Sequence, residues 1–432
     1  MNVCIVASGD FFSNYGGGQV YVRNIVDELA RHSEVLTTVI SFNANQQPSV
    51  KDYNGIQVHV VNNETSLCNA LKTIKPDIVH ANGEKLITSR LCKQLNIPCI
   101  VTAHHGGLVC PAGALLNTKD EICNIPADYS HCLKCYLRNT PTGLFWYPFL
   151  KKISPKLYCR IGERLEKLPL VPFITPIGRT GQIVTEKLKD WKELASTATH
   201  FIAPSNAIAE AMKRNGCPSD KITVIPHGIP YVHSTSSSQF SVLSSQFINF
   251  YYVGRINYVK GIHVLLKAFS SIDNPNIRLH LIGGAGNDSE RRYMRRLQKK
   301  HKTDFRIIWH GKVPSEQMPD IIKGFQCLVH PAIYLEVFGL NISEALAQNK
   351  YVISTRCGGA EMQIHNVNDG TLVEANDVVS LNKAIKQYIN QPRQTLAKVY
   401  SIDEHIKQLI QVYHQTAQKN SGNAISYCCN IL

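Results

Sequence analysis

Short apolar runs alternate with amphipathic stretches along most of the chain, the pattern of a parallel sheet covered by helices. In the first half, runs at 3–7, 35–42, 56–61, 77–80, 99–102, 200–203 and 223–225 predict strands. A second set predicts strands at 247–253, 278–282, 306–310, 326–330 and 351–354. Between the sets, 231–245 holds seven serines in fifteen residues and no periodicity, which is linker composition. The rhythm therefore predicts two βα-type domains, 1–230 and 247–400, joined through 231–246. One segment breaks it: 105–195 is longer than an ordinary βα connection and carries Cys, Pro and aromatic clusters, as functional insertions do.

A length of 432 residues fits two substantial domains, and 44% hydrophobic with 18% charged residues excludes a disordered, collagenous or coiled-coil chain. The net charge of +14 predicts a polyanionic partner, whether nucleic acid, anionic membrane or phosphorylated small molecule. The opening MNVCIVASGD has five apolar residues and no basic leader, so it predicts a first strand rather than a signal peptide. No stretch approaches the roughly 18 apolar residues needed to span a bilayer. Fourteen cysteines without an export signal predict reduced thiols in a cytosol.

Three loops carry candidate chemistry. After the first strand, Gly16-Gly17-Gly18 precedes an amphipathic helix, a place where backbone amides approach a phosphate or sugar or simply form a tight turn. After 247–253 come Gly254, Arg255 and then Lys260-Gly261; a guanidinium fork and an ammonium at a helix N-terminus suit a diphosphate. After 326–330 comes Glu336-Val-Phe-Gly-Leu-Asn-Ile-Ser-Glu344, where Gly339 opens a helix and Glu344 lies one to two turns in, placed to accept hydrogen bonds from ribose hydroxyls. Glu336 precedes the helix, within reach of a transferred sugar, and Cys357-Gly358-Gly359 forms a further close-approach loop.

The order GGGQVYVRNI, TAHHGG, APSNAIAE, KITVIPHGI, YVGRINYVKGIHVLLKAF, LHLIGGAGN, LEVFGLNISEALA and CGGAEMQI closely resembles retaining nucleotide-sugar glycosyltransferases of the GT-B fold, family 4, over nearly the whole chain. The resemblance implies an α/β fold of two Rossmann-like doubly wound parallel-sheet domains facing across a cleft. The first is the acceptor side and the second binds the nucleotide sugar, with 401–432 a helix packing back on the first domain plus a tail. It implies that Arg255 and Lys260 bind the diphosphate and Glu344 the ribose, with Glu336 near the donor sugar. Phe338, Gly339 and Leu340 give backbone contacts, Gly17 and Gly18 form the first-domain glycine turn, and His104 lies near the reacting sugar and acceptor. The implied catalytic set is His104, Glu336, Arg255 and Lys260, with a nucleoside-diphosphate sugar as donor and no catalytic metal. The implied partners are a saccharide or lipid-linked acceptor and an anionic membrane surface, not nucleic acid. The implied activity is transfer of a hexose-type sugar with retention in bacterial surface polysaccharide or glycolipid synthesis, in the cytoplasm or peripherally on the inner face of its membrane. A nucleotide-sugar epimerase or hydrolase of the same fold, and a non-catalytic basic membrane-binding protein, are the alternatives. Asn82 stands where a His is common, and His227 and Pro230 replace a frequent Asn and Asp.

Cys110, Cys123, Cys132 and Cys135, spaced C-x12-C-x8-C-x2-C, have the ligand count of a structural Zn²⁺ site or are four unligated thiols. From 134 to 167, eight Lys/Arg oppose two Glu and interleave with aromatics, as at an anionic membrane surface or along a charged helix. The run Arg291, Arg292, Arg295, Arg296, Lys299, Lys300 predicts a solvated helix face. The final Cys429-Asn430-Ile431-Leu432 matches a prenylation box, a pattern four residues also reach by chance.

Overall fold

The computed structural model describes residues 1–13, 17–138, 143–166, 175–230, 246–314, 317–395, 397 and 399–428. The C-terminal prenylation box and most of the serine-rich linker lie outside them. The chain forms two compact units: Met1–Gly113, Asn124–Pro230 and Ser401–Leu432 make the first, and Ala114–Cys123 and Tyr231–Tyr400 the second.

Unit 1 runs β1 (Asn2–Ser8), α1 (Gly17–Leu29), β2 (Leu36–Phe42), β3 (Ser49–Tyr53), β4 (Ile56–Val61), α2 (Glu64–Ile74), β5 (Ile78–Ala81), α3 (Lys85–Gln94) and β6 (Cys99–Thr102). The insertion follows as α4 (Tyr129–Leu137), α5 (Gly143–Leu150), α6 (Pro155–Glu166) and α7 (Thr175–Thr197), before β7 (His200–Ala203), α8 (Asn206–Arg214) and β8 (Ile222–Val224). The sheet order is β3-β4-β2-β1-β5-β6-β7-β8. β1 pairs in parallel with β2 on one side and β5 on the other, with Val3 opposite Thr37 and Ile78. Val3 to Ala7 are all buried because the strand is central and covered on both faces. β3 is the exception, an antiparallel edge whose residues are almost all exposed.

Unit 2 runs β9 (Ile248–Val253), α9 (Ile262–Ser270), β10 (Ile277–Ile282), α10 (Asp288–Lys300), β11 (Ile307–Gly311), α11 (Met318–Lys323), β12 (Cys327–His330), α12 (Leu340–Ala347), β13 (Tyr351–Thr355), β14 (Gly370–Val373) and α13 (Val378–Asn390). Its six strands, ordered β11-β10-β9-β12-β13-β14, are parallel throughout. This is the doubly wound order, in which the chain reverses direction across the sheet between the first and fourth strands. One face of the sheet buries Phe250, Leu265, Phe269, Leu279 and Tyr388, and the other Tyr251, Leu328, Ile342 and Val352.

One connection departs from the sequence reading of the domains, and the C-terminal helix follows it. Ala114–Cys123, inside the insertion, belongs to unit 2. There Leu116 packs on the core, and Tyr258 Oη donates to Asp120 Oδ2 at 2.9 Å. The helix α14 (Ile402–Cys428) belongs to unit 1 and buries Ile402, Ile406, Leu409, Ile410 and Tyr413 in its core. Buried polar bonds fix its register: His80 Nδ1 to Tyr413 Oη at 2.8 Å, His405 Nε2 to Tyr21 Oη at 2.9 Å and His405 Nδ1 to Pro226 O at 2.7 Å. Burial pulls the His405 imidazole down to about 4, so it is neutral at pH 7.

Candidate functional site

In open α/β sheets, ligands gather beyond the carboxyl ends of the strands where strand order reverses. In unit 2 that point lies between β9 and β12. The loop after β9 carries Arg255 and Lys260, and the loop after β12 carries Glu336 and leads into α12.

Lys260 ends a 3₁₀ turn capped by Asn257, whose Oδ1 accepts from Lys260 N at 3.2 Å. Its ammonium is ion-paired with the Glu336 carboxylate. Tyr334 Oη also donates to Glu336 Oε2 at 2.8 Å, and His330 Nε2 lies 3.6 Å from the same oxygen. Burial alone would push the Glu336 carboxyl up, but Lys260 and then His330 outweigh it and hold it below its usual range. Burial likewise works against the charge on Lys260, and Glu336 more than compensates, leaving its pKa raised. The pair is therefore fully ionised at neutral pH. His330, buried at 1% exposure, is pulled down to about 4 and stays neutral.

Arg255 is the opposite case. Its side chain is 62% exposed and its ionic contact, Nη1 to Glu290 Oε1, is loose at 3.8 Å. Glu290 is already engaged by Gly286 N at 2.6 Å and Asn257 Nδ2 at 3.2 Å. The guanidinium fork is thus open to a ligand.

Gly339, in the left-handed region at φ +84°, turns the chain into α12, a conformation that favours glycine. The preceding Phe338 is buried, and its carbonyl accepts from Gln363 Nε2 at 2.6 Å. Gly359 presses on this segment so closely that a Cβ there would sit 2.3 Å from Phe338 Cα and O. Glu336 joins the same packing, with its amide donating to Cys357 O at 2.7 Å and its carbonyl accepting from Gly359 N at 2.9 Å. The α12 amides, starting at Leu340, are therefore held in place at the end of the sheet. Glu344 is exposed on α12. Desolvation by the surrounding protein pushes its carboxyl up from the usual range.

In unit 1, His104 follows β6 and is half-buried, with Nε2 2.7 Å from Asn82 Oδ1 and its ring edge-on to Tyr21 at 5.0 Å. Burial, then Lys85 and His227, hold its pKa well below the usual value. Because Asn82 Oδ1 is an acceptor, Nε2 carries the proton and Nδ1 is left as an acceptor. Gly17 and Gly18 open α1, and Gly18 lines the same cavity as His104.

The structure thus brings Lys260, Glu336, Phe338, Gly339 and Leu340 together in unit 2, with Arg255 and Glu344 open to solvent, and it gathers Gly18 and His104 in unit 1. Of the cysteine set, Cys110, Cys132 and Cys135 belong to unit 1 and Cys123 to unit 2. Burial first, then Cys110, pushes the Cys132 thiol up to about 12, which disfavours the thiolate. Among the described residues the group of three ligating atoms within 4.8 Å of one another is Glu28, His32 and Asp403, not the cysteines. Sequence reasoning missed His330 and Tyr334, which read as a strand end and a loop aromatic. It also missed Lys85, which no motif marks.

Residues 235–411 match the family model described as Glycosyl transferases group 1. An uncharacterized glycosyltransferase of Methanocaldococcus jannaschii is 25% identical over 59% of this chain and 72% of its own length. The phosphatidylinositol N-acetylglucosaminyltransferase gpi3 subunit of Schizosaccharomyces pombe is 26% identical over 53% of this chain, which spans about half (49%) of that relative. Among solved structures, Anabaena HepE in complex with UDP and glucose superposes with a TM-score of 0.63 at 16% identity, covering 95% of this chain and 98% of HepE. That likeness is one of fold, the GT-B arrangement of two parallel-sheet domains.

Proposed function

We propose that this enzyme, a glycosyltransferase of GT-B fold, moves a hexose-type sugar from a nucleoside diphosphate to an acceptor hydroxyl with retention at the anomeric carbon. The observation that carries the proposal is the unit 2 switch point, where Arg255, Lys260 and the α12 amide end converge. The leaving group is a diphosphate, so the main task of the protein is to stabilise negative charge developing there. Arg255 supplies a mobile fork, Lys260 a fixed charge, and the amides after Gly339 fixed dipoles. Glu336 holds Lys260 in position and faces the donor sugar, and exposed Glu344 accepts from ribose hydroxyls. Unit 1 takes the acceptor, with the neutral His104 offering Nδ1 to a hydroxyl proton. HepE, whose structure holds UDP and glucose, supports a nucleotide-sugar donor. Retention and family 4 membership rest on the sequence resemblance.

A lipid-linked acceptor for surface polysaccharide or glycolipid synthesis is supported by the surface of the insertion. α5 exposes Phe145, Trp146 and Phe149, and Lys151, Lys152, Lys156 and Arg160 beside them are exposed too. No helix among the described residues is long and apolar enough to cross a membrane, so contact would be peripheral. Incubation with a panel of sugar nucleotides and a lipid-linked acceptor, read by mass spectrometry, tests the reading. A product heavier by one hexose is expected; donor consumption without an acceptor adduct would make the protein an epimerase or hydrolase. Replacing Lys151, Lys152, Lys156 and Arg160 by Glu should abolish cosedimentation with anionic vesicles, and equal binding to neutral ones would defeat the peripheral assignment.

A further inference from the structure

The loop that carries both unit 2 cations is held mainly by the sheet and its neighbouring loops. Tyr252 Oη donates to Arg255 O at 2.8 Å, Ile256 N to Gly284 O at 3.0 Å and Ile333 N to Val259 O at 2.9 Å. Tyr258 is held differently. It opens the 3₁₀ turn that ends at Lys260, is 40% exposed, and lays its ring on His263 at a centroid distance of 4.6 Å. Its hydroxyl then reaches the Asp120 carboxylate, supplied by the insertion 138 residues earlier in the chain.

Asp120 is presented by a small hairpin. Residues Ala114–Cys123 leave unit 1 after Gly113 and rejoin it at Asn124. Within them Leu116 and Ile122 face each other in an antiparallel bridge, and both pack on hydrophobic clusters of unit 2. Asn117 N donates to Glu121 O at 2.9 Å and Cys123 N to Leu115 O at 2.7 Å, which closes the hairpin. At its tip Asn117 Oδ1 accepts from the amides of Lys119 at 2.8 Å and Glu121 at 3.1 Å. Asp120 takes the left-handed position there, at φ +63°, which Asp and Asn tolerate better than most side chains. The two apolar residues suffice to seat the hairpin. They do not call for a hydroxyl-to-carboxylate bond onto the turn that ends at Lys260, and that bond is what points to a role at the site.

We propose that Asp120 is a positioning residue of the donor site: through the Tyr258 hydroxyl it fixes the 3₁₀ turn, and with it the Lys260 ammonium and the Arg255 fork, for the diphosphate. The proposal rests on the reading of this loop as the diphosphate site, and adds to it a part taken from the insertion. A fixed cation helps a reacting diphosphate only while its backbone stays in register.

Three variants of the full chain test this. Tyr258→Phe removes the hydroxyl and leaves the ring on His263. Asp120→Gly removes the carboxylate and keeps the left-handed backbone. Asp120→Asn keeps the turn and an oxygen that accepts from the phenol. Hydrogen exchange of residues 254–262 without nucleotide should speed up in the first two variants and in their combination equally, and stay near wild type in Asp120→Asn. Unchanged exchange in β13 shows that the fold is intact. Affinity for UDP, GDP or ADP, whichever binds most tightly to wild type, should fall about three- to tenfold in Tyr258→Phe and Asp120→Gly and be kept in Asp120→Asn. Wild-type exchange in both single variants, losses that add in the double variant, or faster exchange with unchanged nucleotide affinity overturns the proposal. A wild-type chain that binds none of the three nucleotides defeats the diphosphate reading instead, and the exchange data then decide alone whether Asp120 anchors the loop.

Discussion

The two switch points of this glycosyltransferase are built on the same sheet logic and finished differently. In unit 2 the charges are already partnered: Lys260 with Glu336, Glu336 with Tyr334, and Arg255 loosely with Glu290. In unit 1, where the chain reverses between β1 and β5, Lys85 and the buried amide of Asn82 face a cavity without a carboxylate in its wall. A pre-paired site holds its geometry before the ligand arrives, at the cost of having to share the cation with a carboxylate. An unpaired site binds more strongly per contact and leaves its own unit less stable when empty.

The sharpest way to break this contrast is to unpair the unit 2 site. Lys260→Ala strands Glu336 in a buried position and removes the fixed cation, so kcat/KM should fall about 100- to 1,000-fold, with a drop in Tm as well. A kcat/KM within threefold of wild type would remove Lys260 from the site. Next in size is Gly359→Ala. Its Cβ has no room against the Phe338 backbone, so unfolding in urea should show a loss of about 2 kcal/mol or more together with weakened UDP binding. Arg255→Ala should separate the two readouts: its exposed side chain predicts an unchanged Tm and a UDP affinity lower by about 1.5–3 kcal/mol.

These expectations show how unevenly the sequence spoke. The buried strands were legible because a central parallel strand is apolar on both faces, as 3–7 and 327–329 are. β3 was not, since Ser49–Tyr53 is an exposed edge with no apolar alternation to read. Arg255, Lys260 and Glu336 stood out through their position after strands. Their partners Tyr334 and His330 did not, because nothing local says that a loop tyrosine and a strand-end histidine will meet one carboxylate. Asn82 registered only as a departure from a common histidine, and the structure gives it the bond that sets the His104 tautomer. The transfer of Ala114–Cys123 to unit 2 depends on contacts such as Leu116 with that core, which no local pattern announces.

The smallest expected effect concerns unit 1 and acid. His405 has a folded pKa depressed from 6.5 to about 4, so the folded state binds fewer protons than the unfolded chain in that window. Its contribution is fully present above pH 6.5 and is lost as pH falls toward 4. Chemical denaturation of His405→Asn should therefore show a shallower fall in stability between pH 6.5 and 4 than wild type. Parallel curves would mean that other groups dominate the acid response.

The placement of α14 also bears on how the protein is made. Synthesis proceeds from the N-terminus, and residues 1–230 emerge long before the helix that seals their core. Ile25, Leu29 and Tyr21 must wait, with an open apolar face, while all of unit 2 is translated and is free to fold. A nascent chain that stalls before residue 402 carries a finished unit 2 and an unfinished unit 1, and it is unit 1 that a chaperone or protease would recognise.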